Sequence, residues 1–139
     1  MGSTKPSLRV LRSMGAVLLG MVVGAALSLG TDQVLHVLQV YPPWGQPMYE
    51  PGLNFLALEY RVVYQILGCY LIARFAPSAP MRHALIGGAI GLVLSAAGVM
   101  AVVTHPDIGP AWYSISLAFT TLPCAWVGGI FHLKMQPAA

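Results

Sequence analysis

The chain has 139 residues, of which 57% are hydrophobic and 8% charged; its net charge is +3 and its mean hydropathy +0.72. Soluble domains carry roughly 25% charged residues, so this composition cannot cover a water-facing surface, and the soluble class is excluded in favour of an integral membrane protein. The basic excess does not point to nucleic acid, because the Lys and Arg residues flank apolar runs, where membrane topology accounts for them. The expected partner is the lipid bilayer.

A helix needs about 20 apolar residues to cross a bilayer. Four stretches meet that length, at about 14–40, 53–75, 82–103 and 112–133. Pro- and Gly-rich segments separate them: YPPWGQPMYEPG, APSAP and HPDIGP. The expectation is an all-α polytopic membrane protein, one domain over 1–139, with four transmembrane helices in an up-down bundle.

The first stretch opens with KPSLRVLR and an apolar run, the outline of a signal peptide. The run continues past Ser28 into TDQVLHVLQV, so it is expected to stay as the first span. Residues four apart share a helical face. On this span that face reads Ala16, Gly20, Gly24, Ser28, Asp32, His36. Its first half is small and its second half polar. The loop that follows contains three prolines before Glu50, with Trp44 among them, and is expected to be a stiff lid or cap.

The second span carries Glu59, Arg61 and Tyr64. Arg61 lies about eight residues inside it, roughly 12 Å below the outer boundary. Asp32 reaches a similar depth from the other side of the hairpin, so an Asp32–Arg61 ion pair is expected, with His36 and Tyr64 as hydrogen-bonding neighbours. Glu59 falls on another face and is the weaker partner. An unpaired charge at that depth costs several kcal/mol, and such groups mark either helix register or a functional site.

The third span repeats the small face at His83, Gly87, Gly91 and Ser95, and the fourth at Ser116, Thr120, Cys124 and Gly128. Gly20–Gly24 and Gly87–Gly91 are both GxxxG. Such faces let helix backbones approach closely in lipid, so Gly20, Gly24, Ser28, Gly87, Gly91, Ser95 and Gly128 are expected to pack the bundle. Pro123 is expected to kink the fourth helix. A shift of 67 residues superposes Gly20 on Gly87, Gly24 on Gly91 and Ser28 on Ser95. That pattern suggests two hairpins related as a parallel repeat.

Charge sets the orientation. Lys5, Arg9 and Arg12 precede the first span, Arg74 and Arg82 flank the APSAP turn, and Lys134 follows the fourth span. The remaining two loops hold no Lys or Arg. The positive-inside rule puts both termini in the cytoplasm.

Cys69 and Cys124 form no CxxC pair. His36, Met48, His105 and Asp107 match no metal motif, and no nucleophile elbow, HExxH, P-loop or Rossmann glycine pattern is present. The chain is therefore expected to be non-enzymatic, with neither cofactor nor metal. The preferred role is an accessory or self-associating bundle subunit, in a homo-oligomer or larger membrane complex. The alternative is a small transporter or channel using the outer Asp/His/Arg cluster. A transporter requires a water-accessible cavity reaching Asp32 and Arg61; an accessory subunit would bury them dry and expose a small-residue face.

Taken together, GTDQVLH, PPWGQPM, EYRVVY, APSAPMRHAL, GPAWY and PCAWVGG resemble an uncharacterised group of small four-span bacterial membrane proteins, over most of the chain after about Gly15. The resemblance implies four helices in a bacterial inner membrane. It carries over no activity and no site residues.

Overall fold

The computed structural model describes residues 5–137, and among them every regular element is helical. The helices are α1 (Pro6–Val37), α2 (Pro51–Phe75), α3 (Pro80–Thr104) and α4 (Ala111–Met135), with one 3-10 turn at Pro106–Ile108 before α4. All four are long and apolar enough to cross a membrane. The three shorter helices have 25 residues each, or about 37 Å against a hydrocarbon core of about 30 Å. The protein is a multi-pass helical bundle.

The elements begin where the sequence supplies a helix start. Pro6, Pro51 and Pro80 stand in the first turns of α1, α2 and α3, where the missing N–H would have had no helical partner. Glu50 caps α2 by accepting from the Gly52 N–H. The first helix differs most from its expected bounds: it starts at Pro6 rather than near 14 and ends at Val37 rather than 40. Hydropathy finds the part of a helix that lies in lipid, and the basic first two turns of α1 lie outside that part. At the other end Gln39 turns left-handed, with φ 58°. The Val40 N–H then reaches the Leu35 carbonyl at 3.0 Å and the Gln39 N–H the His36 carbonyl at 3.1 Å. That pair of bonds is a Schellman stop, and it turns Tyr41 back over the bundle.

Helix α2 is central and packs against α1, α3 and α4, while α3 and α4 form the other long interface. Helix α1 touches α3 only lightly. Helix α2 meets α3, but α1 does not meet α4 comparably, so the two hairpins share small faces but not neighbours. The buried core is built of small residues, including Cys69, Ala73, Ala84 and Ala125, which suits a medium where close backbone packing and not apolar bulk holds helices together. Large apolar side chains point outward instead; Val22, Val93 and Phe119 are all more than half exposed on the lateral surface. Helix α4 runs unbroken through Pro123.

Of the residues expected to pack, Gly20, Gly87 and Gly128 stand hard against α2, whereas Gly24, Ser28, Gly91 and Ser95 line an open cleft. A Cβ on Gly20 would lie 2.3 Å from the Gly68 carbonyl oxygen, and one on Gly87 2.4 Å from Ile72 Cδ1. Ile72 is also the side chain against Gly20. It is 1% exposed. The small stripes of α1 and α3 thus both receive one knob from α2, and that knob holds them apart. A lateral cleft of about 440 Å³ remains between them.

Candidate functional site

The polar groups at the end of the bundle that carries the 41–50 loop converge where α1, α2, α4 and that loop meet. Arg61 Nη2 donates to Asp32 Oδ2 at 2.5 Å. Tyr60 donates its hydroxyl to the other carboxylate oxygen, Asp32 Oδ1. The Tyr60 oxygen lies 3.1 Å from the Tyr41 hydroxyl. Because the Tyr60 O–H points to Asp32, Tyr41 is the donor in that contact, with the Leu53 carbonyl a longer alternative at 3.4 Å. Burial pushes the Tyr41 phenol above its ordinary value, which keeps its proton available to donate. Both oxygens of Asp32 are therefore engaged, and the residue is only 5% exposed. Arg61 is more open, with 32% of its side chain exposed. Its guanidinium carbon sits 5.9 Å from the centre of the Tyr113 ring, within range of a cation–π contact.

The other expected neighbours stand elsewhere. His36 Nδ1 contacts the backbone carbonyl of Asp32 at 2.6 Å, not its carboxylate. The ring stacks face to face on Trp44, with centroids 3.8 Å apart. His36 anchors the loop to the end of α1. The Tyr64 hydroxyl meets Thr31 Oγ1 at 2.9 Å, and Thr31 in turn donates to the Leu27 carbonyl. Tyr64 thus fastens α2 to α1 without touching the ion pair. Glu59 is exposed on the outer surface of α2 and faces away.

Several contributors were not anticipated. Tyr60 and Tyr113 reach the ion pair, and Asn54 shapes the loop. Asn54 is 2% exposed and donates through Nδ2 to the carbonyls of Met48 (2.8 Å) and Glu50 (3.0 Å). A buried amide early in an apolar span was the available signal. Tyr49 closes the other side by donating to the Pro106 carbonyl at 2.9 Å. Asn54→Ala takes the side-chain donor from the Met48 carbonyl, while the Glu50 carbonyl keeps the Asn54 backbone N–H, at a cost of about 0.5–1.5 kcal/mol. It should also loosen the loop, seen as faster amide hydrogen exchange over Gly45–Met48; unchanged exchange there would show that Asn54 does not hold the loop.

Two cavities meet at Arg61. The first is a vestibule of about 340 Å³ at the end of the bundle under the 41–50 loop, lined by Asp32, His36, Trp44, Asn54, Tyr113 and others. The 41–50 loop forms one wall of it. The second is the lateral cleft, whose walls carry Gly20, Gly24 and Ser28 from α1 and Gly91 and Ser95 from α3. Arg61 lines both. Among the described residues no group of three or more His, Cys, Asp or Glu side chains is placed to hold a metal ion.

A helical-bundle membrane protein with a charged pair between a vestibule at one end and a lateral cleft is the class this arrangement defines. No protein-family model, no curated protein and no solved structure matches the chain.

Proposed function

We propose that the protein is a small, non-enzymatic transporter or channel of the bacterial inner membrane, with both termini cytoplasmic, that works through the polar cluster at Asp32 and Arg61. The observation that carries this is the position of Arg61 on the walls of both the vestibule and the cleft. A partly exposed cation at the junction of two cavities can be approached by a solute from either one. An intramembrane ionisable group is costly to maintain and commonly marks a solute pathway. The six basic residues flanking the spans support the orientation.

Cysteine accessibility in intact cells tests both parts. In a Cys69→Ala, Cys124→Ala background, Ser114→Cys lines the vestibule and Lys5→Cys marks the N-terminal end. A membrane-impermeant maleimide added outside should label Ser114→Cys and spare Lys5→Cys until the cells are opened. A Ser114→Cys protein that reacts from neither side has no water in its vestibule, which would end the transport reading. Labelling of Lys5→Cys from outside would reverse the orientation.

A self-associating or accessory bundle is the second reading. It is favoured by the outer half of α3, where Ala97, Gly98 and Ala101 are exposed and a Cβ on Gly98 would meet nothing within 4 Å. Copurification of further copies or another membrane protein in mild detergent, lost in Gly98→Leu, would support it.

A further inference from the structure

We infer that the lateral cleft binds a single-chain anionic amphiphile of the fatty-acid class, its chain lying between α1 and α3 and its headgroup accepting hydrogen bonds from Arg61. This names the substrate class for the transport reading above and rests on it for its functional meaning.

The shape of the cleft selects the occupant. Its volume of about 440 Å³ falls in the usual range for small-ligand sites, about 300–1,000 Å³. From Gly20 to Ser28 it extends over eight residues of α1, about 12 Å. A cavity of that size and length admits an extended hydrocarbon chain. Gly20 and Gly87 both close on Ile72, which separates α1 from α3 at that level, while nearer the start of α1 the two helices meet where His83 Nε2 lies 2.9 Å from Ser13 Oγ. Most of the remaining wall is Gly, Ala, Leu and Met, with Tyr64, Cys69 and Thr121.

One end is polar and its polarity is directional. Arg61, Gln65, Ser28 and Ser95 line it. The carboxylate of Asp32 is covered, 7% exposed, with an oxygen bound to each of Arg61 and Tyr60, whereas Arg61 is 32% exposed. An occupant of the cleft therefore meets the cation and not its counter-ion. A guanidinium has five N–H donors. Asp32 takes one from Nη2, and Nε has no acceptor at all. Gln65 is also incompletely paired. Thr121 donates to the Leu117 carbonyl and accepts from Gln65 Nε2, leaving Gln65 Oε1 without a donor. An arriving carboxylate accepts from guanidinium N–H groups that Asp32 does not take; Gln65 Oε1 is itself an acceptor and gains no donor from it. Because the chain enters sideways from the bilayer and the headgroup ends beside the vestibule, the site suits a molecule that is itself amphiphilic.

Photolabelling tests the assignment by binding alone, with no need for transport. The full chain in dodecyl maltoside is exposed to oleic acid carrying a diazirine on its chain, or to oleyl alcohol with the same diazirine. Oleate should label α1 and α3 cleft residues saturably, and about tenfold more tightly than the alcohol, the value of one charge-assisted hydrogen bond. Arg61→Gln should bring oleate to the level of the alcohol. Ser95→Phe fills the slot, leaves the ion pair untouched, and should abolish labelling by both probes; it carries the test if Arg61→Gln does not accumulate. Equal labelling by oleate and alcohol in the unaltered protein would overturn the inference, as would labelling that survives Ser95→Phe. Competition by dioleoyl phosphatidylglycerol as strong as that by oleate would also overturn it, by assigning the cleft to a two-chain bilayer lipid. Thiol accessibility of the vestibule without oleate binding would sink this inference and spare transport; oleate binding with a dry vestibule would do the reverse to the transport reading.

Discussion

Arg61→Met should destabilise the bundle by about 3–5 kcal/mol, because it leaves the Asp32 carboxylate buried without its counter-charge. Asp32 is 5% exposed and keeps only the Tyr60 hydroxyl as a donor once Arg61 is gone. Asp32→Asn should cost less, about 1–3 kcal/mol. The amide keeps the shape and one acceptor oxygen, but its NH₂ then faces either Arg61 or Tyr60, two donors that both need an acceptor. The informative variant is the double one. Asp32→Leu with Arg61→Met removes both charges, and such replacements of buried pairs are commonly neutral or stabilising. It should recover most of the loss, short of the share due to the orphaned Tyr60 hydroxyl. Unfolding by SDS titration in dodecyl maltoside, followed by far-UV circular dichroism, measures all three. If Arg61→Met unfolds within about 0.5 kcal/mol of the unaltered protein, a typical surface value, water screens the pair far better than its burial implies. A stable double variant that has lost vestibule-dependent flux would mean that the pair is kept for function and not for the fold.

How far the sequence foretold this site can be followed residue by residue. Placement of α2, α3 and α4 was legible because Pro51, Pro80 and Pro110 sit at their starts and the apolar runs have spanning length; the start of α1 at Pro6 was not, because its first turns are basic. The end of α1 was not, since it depends on Gln39 taking a left-handed conformation that its residue type does not announce. The meeting of Asp32 with Arg61 followed from equal depth in an antiparallel hairpin. Equal depth says nothing about which side chains complete the shell. Tyr60 neighbours Arg61 in sequence and so lies about 100° round the helix; face-counting passes over it, yet its length carries the hydroxyl back to Asp32. Tyr64 lies on the Arg61 face but one turn deeper, level with Thr31. His36 follows Asp32 by one turn, which puts its ring against the backbone carbonyl of Asp32 and not the carboxylate. Tyr41 joins only because the Schellman stop folds the chain back. The small-residue stripes were visible as stripes. That Ile72 of α2 wedges the glycines of α1 and α3 apart, opening a cleft where close contact was expected, is a property of three helices together.

Glycine substitutions provide the sharpest contrast within the fold. Gly128→Ala should destabilise by about 1–3 kcal/mol, the usual cost of forcing a methyl group into a packed core. Its added Cβ would stand 2.6 Å from the Ile66 carbonyl oxygen, 2.8 Å from the Tyr70 nitrogen and 2.9 Å from Cys69 Cβ. Two of these are backbone atoms of α2, which cannot rotate aside, so α4 has to move bodily off the central helix. Gly20→Ala meets the Gly68 carbonyl oxygen at 2.3 Å and Ile72 Cγ1 at 2.3 Å, and should cost at least as much, since one obstacle is again backbone and the other is a fully buried side chain held by Gly87. Gly24→Ala faces a single backbone oxygen at 3.3 Å, which a few tenths of an ångström relieve, and should cost little. Gly98→Ala meets nothing within 4 Å and should stabilise by about 0.5–1 kcal/mol, the helical penalty of glycine relative to alanine. The four changes are chemically identical and differ only in what stands opposite the new methyl. The same detergent titration ranks them, and a flat ranking would show that the helices are loose enough to part at no cost. Because Ile72 is shared by Gly20 and Gly87, Gly20→Ala should also lose part of its penalty when combined with Ile72→Ala, which removes both Cγ1 and Cδ1. Gly128→Ala, whose three nearest obstacles belong to Ile66, Tyr70 and Cys69, should gain nothing from it, and that difference isolates the wedge from general crowding.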